Sequence, residues 1–378
     1  MQAKTKTIRV ATFNVSMEAT NYLANGEQAS GLELFEQLEN GENPQIRNIA
    51  EIIQRVRPDV ILLNEFDYNK NTNKGLVAFI KHYLNLAQHE EVTAIDYPYI
   101  YTAPVNTGVD SGLDLDKDGI ASGKGGDAFG FGLFPGHYGM ALLSKYPIDA
   151  TSIRTFQYFL WKDMPGGLLD NIKDENAQPW YSKEARNVFR LSSKSHWDLP
   201  VQIGDEVMHI LASHPTPPVF DGPEDRNGKR NHDEVRFWLD YITGGDTASY
   251  IYDDNQERGG LGDKPFVIVG DLNSSPDEGD AHKGAITALL DHPLVNNATK
   301  PSSVGGKQQR LDNVRAKFHT ADWGMRADYV LPSVHLQAMD NGVFWPNKEQ
   351  SLHRLVQDRS SSSDHRLVWV DIALDNDR

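Results

Sequence analysis

Residues 265–280 read PFVIVGDLNSSPDEGD, and this stretch combines a predicted buried strand with a cluster of polar residues at its end. The run from Phe266 to Val269 is apolar and β-branched, which is typical of a strand buried on both faces. It leads to Asp271 and Asn273, and Ser-Ser-Pro turn chemistry follows. Because residues i and i+2 of a strand point to the same side, the carboxylate and the amide are expected to converge. A carboxylate suits a base that orients water, and an amide suits a developing oxyanion. An Asx turn that closes the strand is the alternative interpretation.

Apolar runs of strand length recur along the chain, each next to polar side chains. The others are IRVATFNVSM (8–17) with Asn14, PDVILLNEF (58–66) with Glu65, EVMHILASHP (206–215) with His214, ADYVLPS (327–333) with Asp328, and SDHRLVWVDI (363–372) with Asp364 and His365. Helix-like periodicity occurs at 44–56, 73–86 and 231–242. Strands that alternate with helices, and in places follow one another directly, predict packed sheets with helices outside, a layered α/β sandwich.

The polar residues at these strand ends have both functional and structural interpretations. Glu65 is either a hard oxygen ligand for Mg2+ or Mn2+ or an exposed carboxylate of the following loop. An ionised Asp364 can hold a metal while His365 donates to a phosphate oxygen, but the pair can also cap the entry of a strand. Asp328 has an ion pair with Arg326 as its structural alternative.

Composition excludes several classes of protein. Of the 378 residues, 39% are hydrophobic and 24% are charged, so the chain can build a substantial core. The absence of cysteine excludes disulfides and thiolate chemistry. The formal charge of −16 argues mildly against a nucleic-acid partner, since a grip on phosphate backbones normally requires a basic surface. A phosphate substrate remains compatible, because bound divalent cations can be the largest local charges in a site.

The spread of the motifs along the chain predicts the domain organisation, and hydropathy bears on the cellular location. They extend from Asn14 to His365, which predicts one domain over 1–378 with insertions at about 102–137 and 154–200. No apolar run approaches a membrane span, and the N-terminus lacks the apolar region of a signal peptide. The chain is therefore either cytoplasmic or an exported protein whose signal was removed.

The motifs TFNVSM, LLNEF, SHPTPP, GDLNSSP, ADYVL and SSDHRLV, in this order, resemble those of the endonuclease/exonuclease/phosphatase superfamily. Its members include deoxyribonuclease I-like nucleases, inositol polyphosphate phosphatases and neutral sphingomyelinases. The resemblance covers nearly the whole chain except the central loops, and the composition is closer to exported bacterial members. It implies a four-layered α/β sandwich, in which two mixed sheets pack together between helices. It also implies hydrolysis of phosphate esters with a divalent metal, Mg2+ or Mn2+.

The same resemblance implies a role for each motif residue. Glu65 would be the principal metal ligand, with Asn14 and Asp364 beside it. Asp271 would orient or deprotonate the attacking water, and Asn273 would help to stabilise the transition state. His214 and His365 would contact the phosphate. Asp328 would fix the orientation of the His365 imidazole.

A second metal site is predicted in GLDLDKDGI (112–120). Asp114, Asp116, Asp118 and Gly119 match positions 1, 3, 5 and 6 of a calcium loop. Gly125 occupies position 12, where a carboxylate is expected, and Asp127 is the candidate substitute. Calcium would order this insertion, and a flexible acidic loop is the alternative.

Substrate contacts are expected from residues between the motifs. The candidates are Lys194, His196, Arg226, Arg230 and Asn231. The favoured function is a phosphodiesterase or phosphatase on small or exposed phosphate esters, and a metal-dependent nuclease is the second interpretation. A catalytically silent calcium-dependent binding protein is the third, because a fold alone does not confer function. Oligomeric state and the alcohol part of the substrate stay open.

Overall fold

Two β-sheets form the centre of the fold in a computed structural model that describes residues 6–24, 26–298 and 300–374. The first sheet contains β1 (Lys6–Met17), β2 (Val60–Phe66), β3 (Tyr99–Tyr101), β4 (Met140–Ser144), β10 (Gln337–Val343) and β11 (Val368–Leu374). The second contains β5 (Arg154–Thr155), β6 (His196–Ile203), β7 (Glu206–Ser213), β8 (Phe266–Asp271) and β9 (Asp328–Pro332). Their spatial orders are β10-β11-β1-β2-β4-β3 and β5-β6-β7-β8-β9. Both sheets are mixed, because β1–β2 and β7–β8 pair in parallel while the other neighbours are antiparallel.

Helices cover the outer faces of the two sheets. They are α1 (Glu33–Asn40), α2 (Pro44–Val56), α3 (Leu76–Phe79), α4 (Lys183–Val188), α5 (Arg226–Thr243), α6 (Lys283–Leu290) and α7 (Val304–Gln309). Shorter 3-10 turns lie at Ala19–Tyr22, Gly125–Asp127, Trp161–Asp163, Leu168–Asn171, Gly245–Ala248, Ala316–Phe318 and Ser351–Leu355. No helix in the described ranges is long and apolar enough to cross a membrane.

Local signals explain where these elements begin and end. The side chain of Asn43 accepts hydrogen bonds from the amides of Gln45 and Ile46, and Pro44 fixes the first turn of α2. The predicted helix over 73–86 is α-helical only over α3 and continues as a π-helix over Ile80–Leu84. The predicted strand over 363–372 begins only at Val368, so Asp364 and His365 lie in the preceding turn.

The hydrophobic core lies in layers. Val267 and Val269 of β8 point toward the first sheet, whereas Phe266 and Ile268 point toward α5 and α6. β1 and β2 pack against β8 from the other side of the central layer. The architecture is therefore the four-layered α/β sandwich, two mixed sheets between helices, and this prediction is confirmed.

The two long insertions meet beside the second sheet. Residues 102–137 form turns and isolated bridges, and 154–200 contain β5, α4 and short 3-10 turns. The Asn106 side chain donates to the backbone carbonyls of Gln157 and Ser192, both at 2.8 Å, and so joins one insertion to the other.

Candidate active site

Four strand ends meet at one edge of the sandwich. Asn14 of β1 and Asn64 of β2 are register partners in the first sheet. In the second sheet, Asp271 at the end of β8 is the register partner of Asp328 at the start of β9. The Asp271 backbone amide donates to Asn64 Oδ1 at 3.1 Å, which joins the two sheets at this edge. Residues more than 200 positions apart are thus brought within contact.

The carboxylate of Asp271 is the centre of this edge. Its Oδ2 lies 3.1 Å from Asn14 Nδ2, 3.4 Å from His214 Nε2 and 3.5 Å from His365 Nε2. Burial raises the pKa of Asp271 above its ordinary value, and the charge of Asp328 acts in the same direction. A buried carboxylate with several nitrogen neighbours and a raised pKa is well suited to accept a proton from water.

His365 is oriented by Asp328. Its Nδ1 lies 2.8 Å from Asp328 Oδ2, which also accepts a hydrogen bond from Thr320 Oγ1 at 2.7 Å. Burial alone would lower the pKa of His365, but the carboxylates of Asp328 and Asp271 raise it above its ordinary value. The imidazole is therefore held ready to carry a positive charge. Asp328 forms this pair rather than the alternative ion pair with Arg326, whose guanidinium lies over the Tyr329 ring at 4.4 Å.

Glu65 and Asp364 form a second acidic group next to Asn14, with which the Glu65 side chain forms a hydrogen bond. Glu65 is half-buried and has a left-handed φ of 55°, which marks the sharp end of β2. Burial raises the pKa of Glu65, and the charges of Asp364 and Glu18 raise it further. Asp364 Oδ1 accepts from Ser16 Oγ at 3.1 Å. Carboxylate and amide oxygens are the ligands that Mg2+ prefers, and a cation would relieve the repulsion between these groups, so the residues fit a divalent metal.

A second grouping also has metal-ligand geometry. One ligand atom each of Asp271, Asp328 and His365 lies within 4.8 Å of the others. The 2.8 Å contact between His365 and Asp328 is a hydrogen bond, which uses the ring nitrogen and the carboxylate for each other. This buried cluster of two carboxylates and a histidine can hold a metal, and its internal hydrogen bonds also suit a role in proton transfer.

Asn273 reaches the site through a turn and not through the strand geometry expected from its spacing. β8 ends at Asp271, and Asn273 has a left-handed φ of 50°. Its backbone amide donates to Asp271 Oδ1 at 2.9 Å, which is the Asx turn of the alternative interpretation. Its side-chain Nδ2 donates to the Pro215 carbonyl at 3.2 Å and retains a second hydrogen for a ligand.

His214 lies directly after β7, where the sequence predicted it. Its ring is buried, and its Nδ1 has no hydrogen-bond partner in the described part of the chain. Burial lowers the pKa of His214 well below its ordinary value, and the charges of Lys194 and His365 add to the effect. A neutral imidazole beside Asp271 is therefore expected.

The candidate substrate residues separate into two groups. His196 is buried, and its ring nitrogens lie 3.0 Å from Ser192 Oγ and 2.9 Å from the Glu234 carbonyl, so both are occupied within the protein. Arg230 is also buried and donates to the Leu191 carbonyl at 2.8 Å. These two side chains hold the insertions against α5.

The other candidates lie nearer to the site or to the surface. The Asn231 amide donates to the Leu272 carbonyl at 2.9 Å and so supports the turn after Asp271. Arg226 pairs with Glu224 and lies 5.2 Å from the Trp180 ring. Lys194 lies on the segment before β6, and the charges of Glu234, Glu65 and Asp271 act on its pKa.

The acidic loop forms the turn expected of a cation loop. Asp114, Asp116 and Asp118 each offer an oxygen within 4.8 Å of the others. Gly119 has a left-handed φ of 92°, as the sharp turn at position 6 requires. Asp127 is buried, and its carboxylate accepts from the Leu115 and Ser122 amides at 2.7 and 2.8 Å. It stabilises the loop from within.

Sequence reasoning missed several residues that support the site. Asn64 bridges the sheets, and its position as a polar residue inside an apolar strand was the available signal. His137 is buried, with its Nε2 2.9 Å from Glu18 Oε2, and the charge of Glu18 acts on Glu65. Thr320, which bonds Asp328, lies in a loop with no distinguishing pattern.

Comparison with known proteins gives a matching family and several similar folds. A family model described as the Endonuclease/Exonuclease/phosphatase family matches residues 11–365. No curated protein matches the chain with significance. The fold is similar to that of an endonuclease/exonuclease/phosphatase from Beutenbergia cavernae DSM 12333, with a TM-score of 0.50 and 16% sequence identity, over 98% of this chain and 72% of that chain.

Two further structures are similar at slightly lower scores. An endonuclease/exonuclease/phosphatase family protein from Leptotrichia buccalis C-1013-b has a TM-score of 0.49 and 15% identity, over 97% of this chain and 100% of that chain. Beta toxin from Staphylococcus aureus has a TM-score of 0.46 and 15% identity, over 96% of this chain and 99% of that chain.

Proposed function

Because the chain belongs to the endonuclease/exonuclease/phosphatase family, we propose that it hydrolyses phosphate esters with the help of a divalent metal ion. One observation carries the proposal. Nitrogen atoms of Asn14, His214 and His365 surround Asp271 Oδ2 at 3.1–3.5 Å. A binding protein has no need for a buried carboxylate ringed by these groups, since such an arrangement is costly to bury.

The chain's own residues supply the steps of an in-line attack of water on phosphorus. Asp271 orients the water and takes its proton, which its raised pKa favours. His365, held by Asp328, donates to the phosphate or to the leaving oxygen. The amide of Asn273 stabilises charge that develops on a phosphate oxygen.

Glu65, Asn14 and Asp364 would hold the metal ion, for which Mg2+ or Mn2+ is proposed. The cation supplies positive charge that offsets the charge of the phosphate oxygens. The oxygen-only ligand set fits either ion.

The substrate proposed is a small or exposed phosphate ester rather than nucleic acid. The formal charge of −16 supports this choice, because a polyanionic substrate is repelled by an acidic surface. A nuclease is the second candidate within the same chemistry.

The test is hydrolysis of p-nitrophenyl phosphate, bis-p-nitrophenyl phosphate and plasmid DNA, first after chelation and then with Mg2+, Mn2+ or Ca2+ restored. Activity that returns with metal and prefers a small ester is expected. Preference for plasmid DNA would favour the nuclease. Absence of turnover with every substrate would favour a silent binding protein and overturn the proposal.

Variants connect the activity to the site. Asp271→Asn and His365→Ala are each expected to lower kcat by about 10²–10⁴-fold, the usual contribution of a general base or acid. Asp340→Asn, on the exposed edge strand β10, is the matched control and should retain full activity. A site variant with wild-type kcat would exclude that residue from the mechanism.

Calcium at Asp114, Asp116 and Asp118 is proposed to order the 102–137 insertion. Calorimetric titration with Ca2+ should give binding that Asp116→Asn weakens. Equal binding by the variant would remove the loop as a calcium site.

A further inference from the structure

Lys194 is a buried lysine without a partner. Its side chain is 5% exposed, and its ammonium forms no hydrogen bond or ion pair within the part of the chain that the structure describes. A buried charge without a partner is unfavourable, because the loss of hydration is not offset by an ion pair. A bound anion would supply the missing partner of the Lys194 ammonium.

The segment that carries Lys194 runs beside His214, because Ser193 Oγ donates to the His214 carbonyl at 3.4 Å and His196 is the register partner of Ser213. Burial lowers the pKa of Lys194, and the charges of Glu234, Glu65 and Asp271 oppose that effect. The charge of Lys194 also acts on His214. Lys194 therefore lies among the residues that surround the phosphate in the proposed reaction.

The backbone around Lys194 is fixed. Glu234 of α5 accepts hydrogen bonds from the amides of Ser193 and Thr216, both at 2.6 Å. The Lys194 carbonyl accepts from the Asn106 amide at 2.9 Å. Because Glu234 is occupied by two backbone amides, it holds the segment in place instead of pairing with the ammonium.

This end of the site is closed. Lys194 is 5% exposed and His214 is 2% exposed, and His214 Nδ1 has no hydrogen-bond partner among the described residues. A small anion fits such an environment better than an organic substituent, since ammonium groups bind phosphate as compact point charges.

A more open part of the site carries Trp323. This side chain is 45% exposed, and its ring lies 4.9 Å from the His365 ring at an interplanar angle of 83°. Its backbone carbonyl accepts from Arg310 Nη2 at 2.6 Å, and Ala321 forms a β-bridge with His365. Trp323 is thus held beside the catalytic histidine with part of its apolar surface free.

We propose that the site takes phosphate monoesters, with phosphate oxygens bound by Lys194 and the organic group packed against Trp323. The proposal rests on the function proposed above and names its substrate class. A monoester dianion has three unsubstituted oxygens and one organic group, which matches one closed basic end and one open apolar end. A diester has a second organic group and one negative charge fewer, so it matches this arrangement less well.

The first experiment measures binding of inorganic phosphate to the Mg2+-loaded protein by calorimetry, for wild type and Lys194→Met. Loss of a charged hydrogen bond should weaken phosphate binding at least about tenfold. Lys162→Met, which changes an exposed lysine in the same insertion, is the matched control and should bind like wild type. Equal affinity of Lys194→Met and wild type, or no phosphate binding by wild type, would overturn the assignment.

The second experiment compares kcat/KM for p-nitrophenyl phosphate and bis-p-nitrophenyl phosphate. Lys194→Met should lower the monoester value by about 10²-fold and the diester value by about tenfold or less. Equal losses for both esters would overturn the monoester assignment while leaving phosphoester hydrolysis intact. Absence of wild-type turnover would reject the proposed function, and the phosphate calorimetry would still decide the role of Lys194.

Trp323→Ala tests whether Trp323 contacts the organic group of the substrate. It should raise KM for p-nitrophenyl phosphate about five- to tenfold, from the loss of apolar contact, while the affinity for inorganic phosphate is unchanged. An unchanged KM would remove Trp323 from the substrate contacts. Thermal unfolding checks that each variant is folded, and Lys194→Gln serves as a second variant if Lys194→Met does not fold.

Discussion

At the residue scale, the site depends on a balance between burial and charge. Burial alone would favour the neutral form of His365 and of Asp271, and neighbouring charges then decide the outcome for each. The carboxylate of Asp328 is the group that stabilises a charged His365, through a 2.8 Å contact. Removal of the Asp328 charge should therefore lower kcat more than it lowers the stability of the fold.

Asp328→Asn is predicted to lower kcat by about 10²–10⁴-fold, because the imidazole loses the charge that stabilises its protonated form. The amide preserves the shape of the side chain. Steady-state kinetics with p-nitrophenyl phosphate measures the effect, and circular dichroism checks the fold. A variant with wild-type kcat would show that His365 does not need this partner.

The buried His196 gives a pH prediction for stability. Burial lowers the pKa of His196 from its ordinary 6.5 to about 4. Between these values the unfolded chain binds a proton that the folded protein does not bind. The contribution of neutral His196 to the free energy of unfolding is therefore complete above about pH 6.5. It is lost as the pH falls toward 4, and the free energy of unfolding then changes by up to about 1.4 kcal/mol per pH unit.

Urea unfolding from pH 4 to 7 tests this prediction. His196→Gln should reduce the slope of unfolding free energy against pH in that window, and KM should stay as in wild type because both ring nitrogens are used within the protein. His335→Gln, at an exposed position, is the control. A raised KM with an unchanged slope would instead assign His196 to substrate binding.

At the element scale, the two sheets are aligned by polar contacts at their common edge. Asn64 of β2 accepts from the Asp271 amide at 3.1 Å and donates to the Ser213 carbonyl at 3.4 Å. Gly270 allows β8 to approach β7 closely, because a Cβ at this position would lie 2.0 Å from the Ser213 carbonyl oxygen. These contacts fix where Asp271 ends its strand.

Asn64→Ala is predicted to lower the unfolding free energy by about 1–3 kcal/mol, because it leaves a buried amide and a buried carbonyl without partners. Activity should also fall, since the Asp271 backbone is released. Chemical denaturation and kinetics measure the two effects. Thr12→Val, which removes only a 3.3 Å hydrogen bond to Asn64, should have a much smaller effect. Equal effects of the two variants would contradict the bridging role of Asn64.

At the scale of the whole molecule, the acidic charge of −16 shapes encounters with substrates. It repels polyanions over distances of about a Debye length, ~10 Å at 0.1 M salt. A small ester meets mainly the local field of the site, where Lys194 and the proposed metal oppose the acidic groups.

Salt should therefore affect the substrates differently. Any cleavage of plasmid DNA is predicted to rise between 20 and 150 mM NaCl, roughly the range over which repulsion becomes screened, whereas p-nitrophenyl phosphate hydrolysis should change little. Initial rates at constant Mg2+ provide the measurement. A steep fall of DNA cleavage with salt would indicate counterion release from a basic groove and would support the nuclease.

The layered α/β sandwich and the polar residues at the strand ends could be predicted from the sequence. Apolar periodicity is a local property, so β8 and α2 were predictable from a few consecutive side chains. Asp271, Asp328 and His365 were candidates because polar residues that end buried strands gather at one edge of a sheet.

Which of these candidates lie together and which support the fold became clear from contacts between residues that are distant in the chain. His196 and Lys194 are two residues apart, yet both ring nitrogens of His196 are bonded within the protein, whereas the Lys194 ammonium has no partner among the described residues. Thr320 and Trp323 meet Asp328 and His365 through a turn that no local pattern marks. The physical reason is that hydrogen-bond partners and burial depend on residues distant in the chain, whereas strand and helix preferences depend on neighbours.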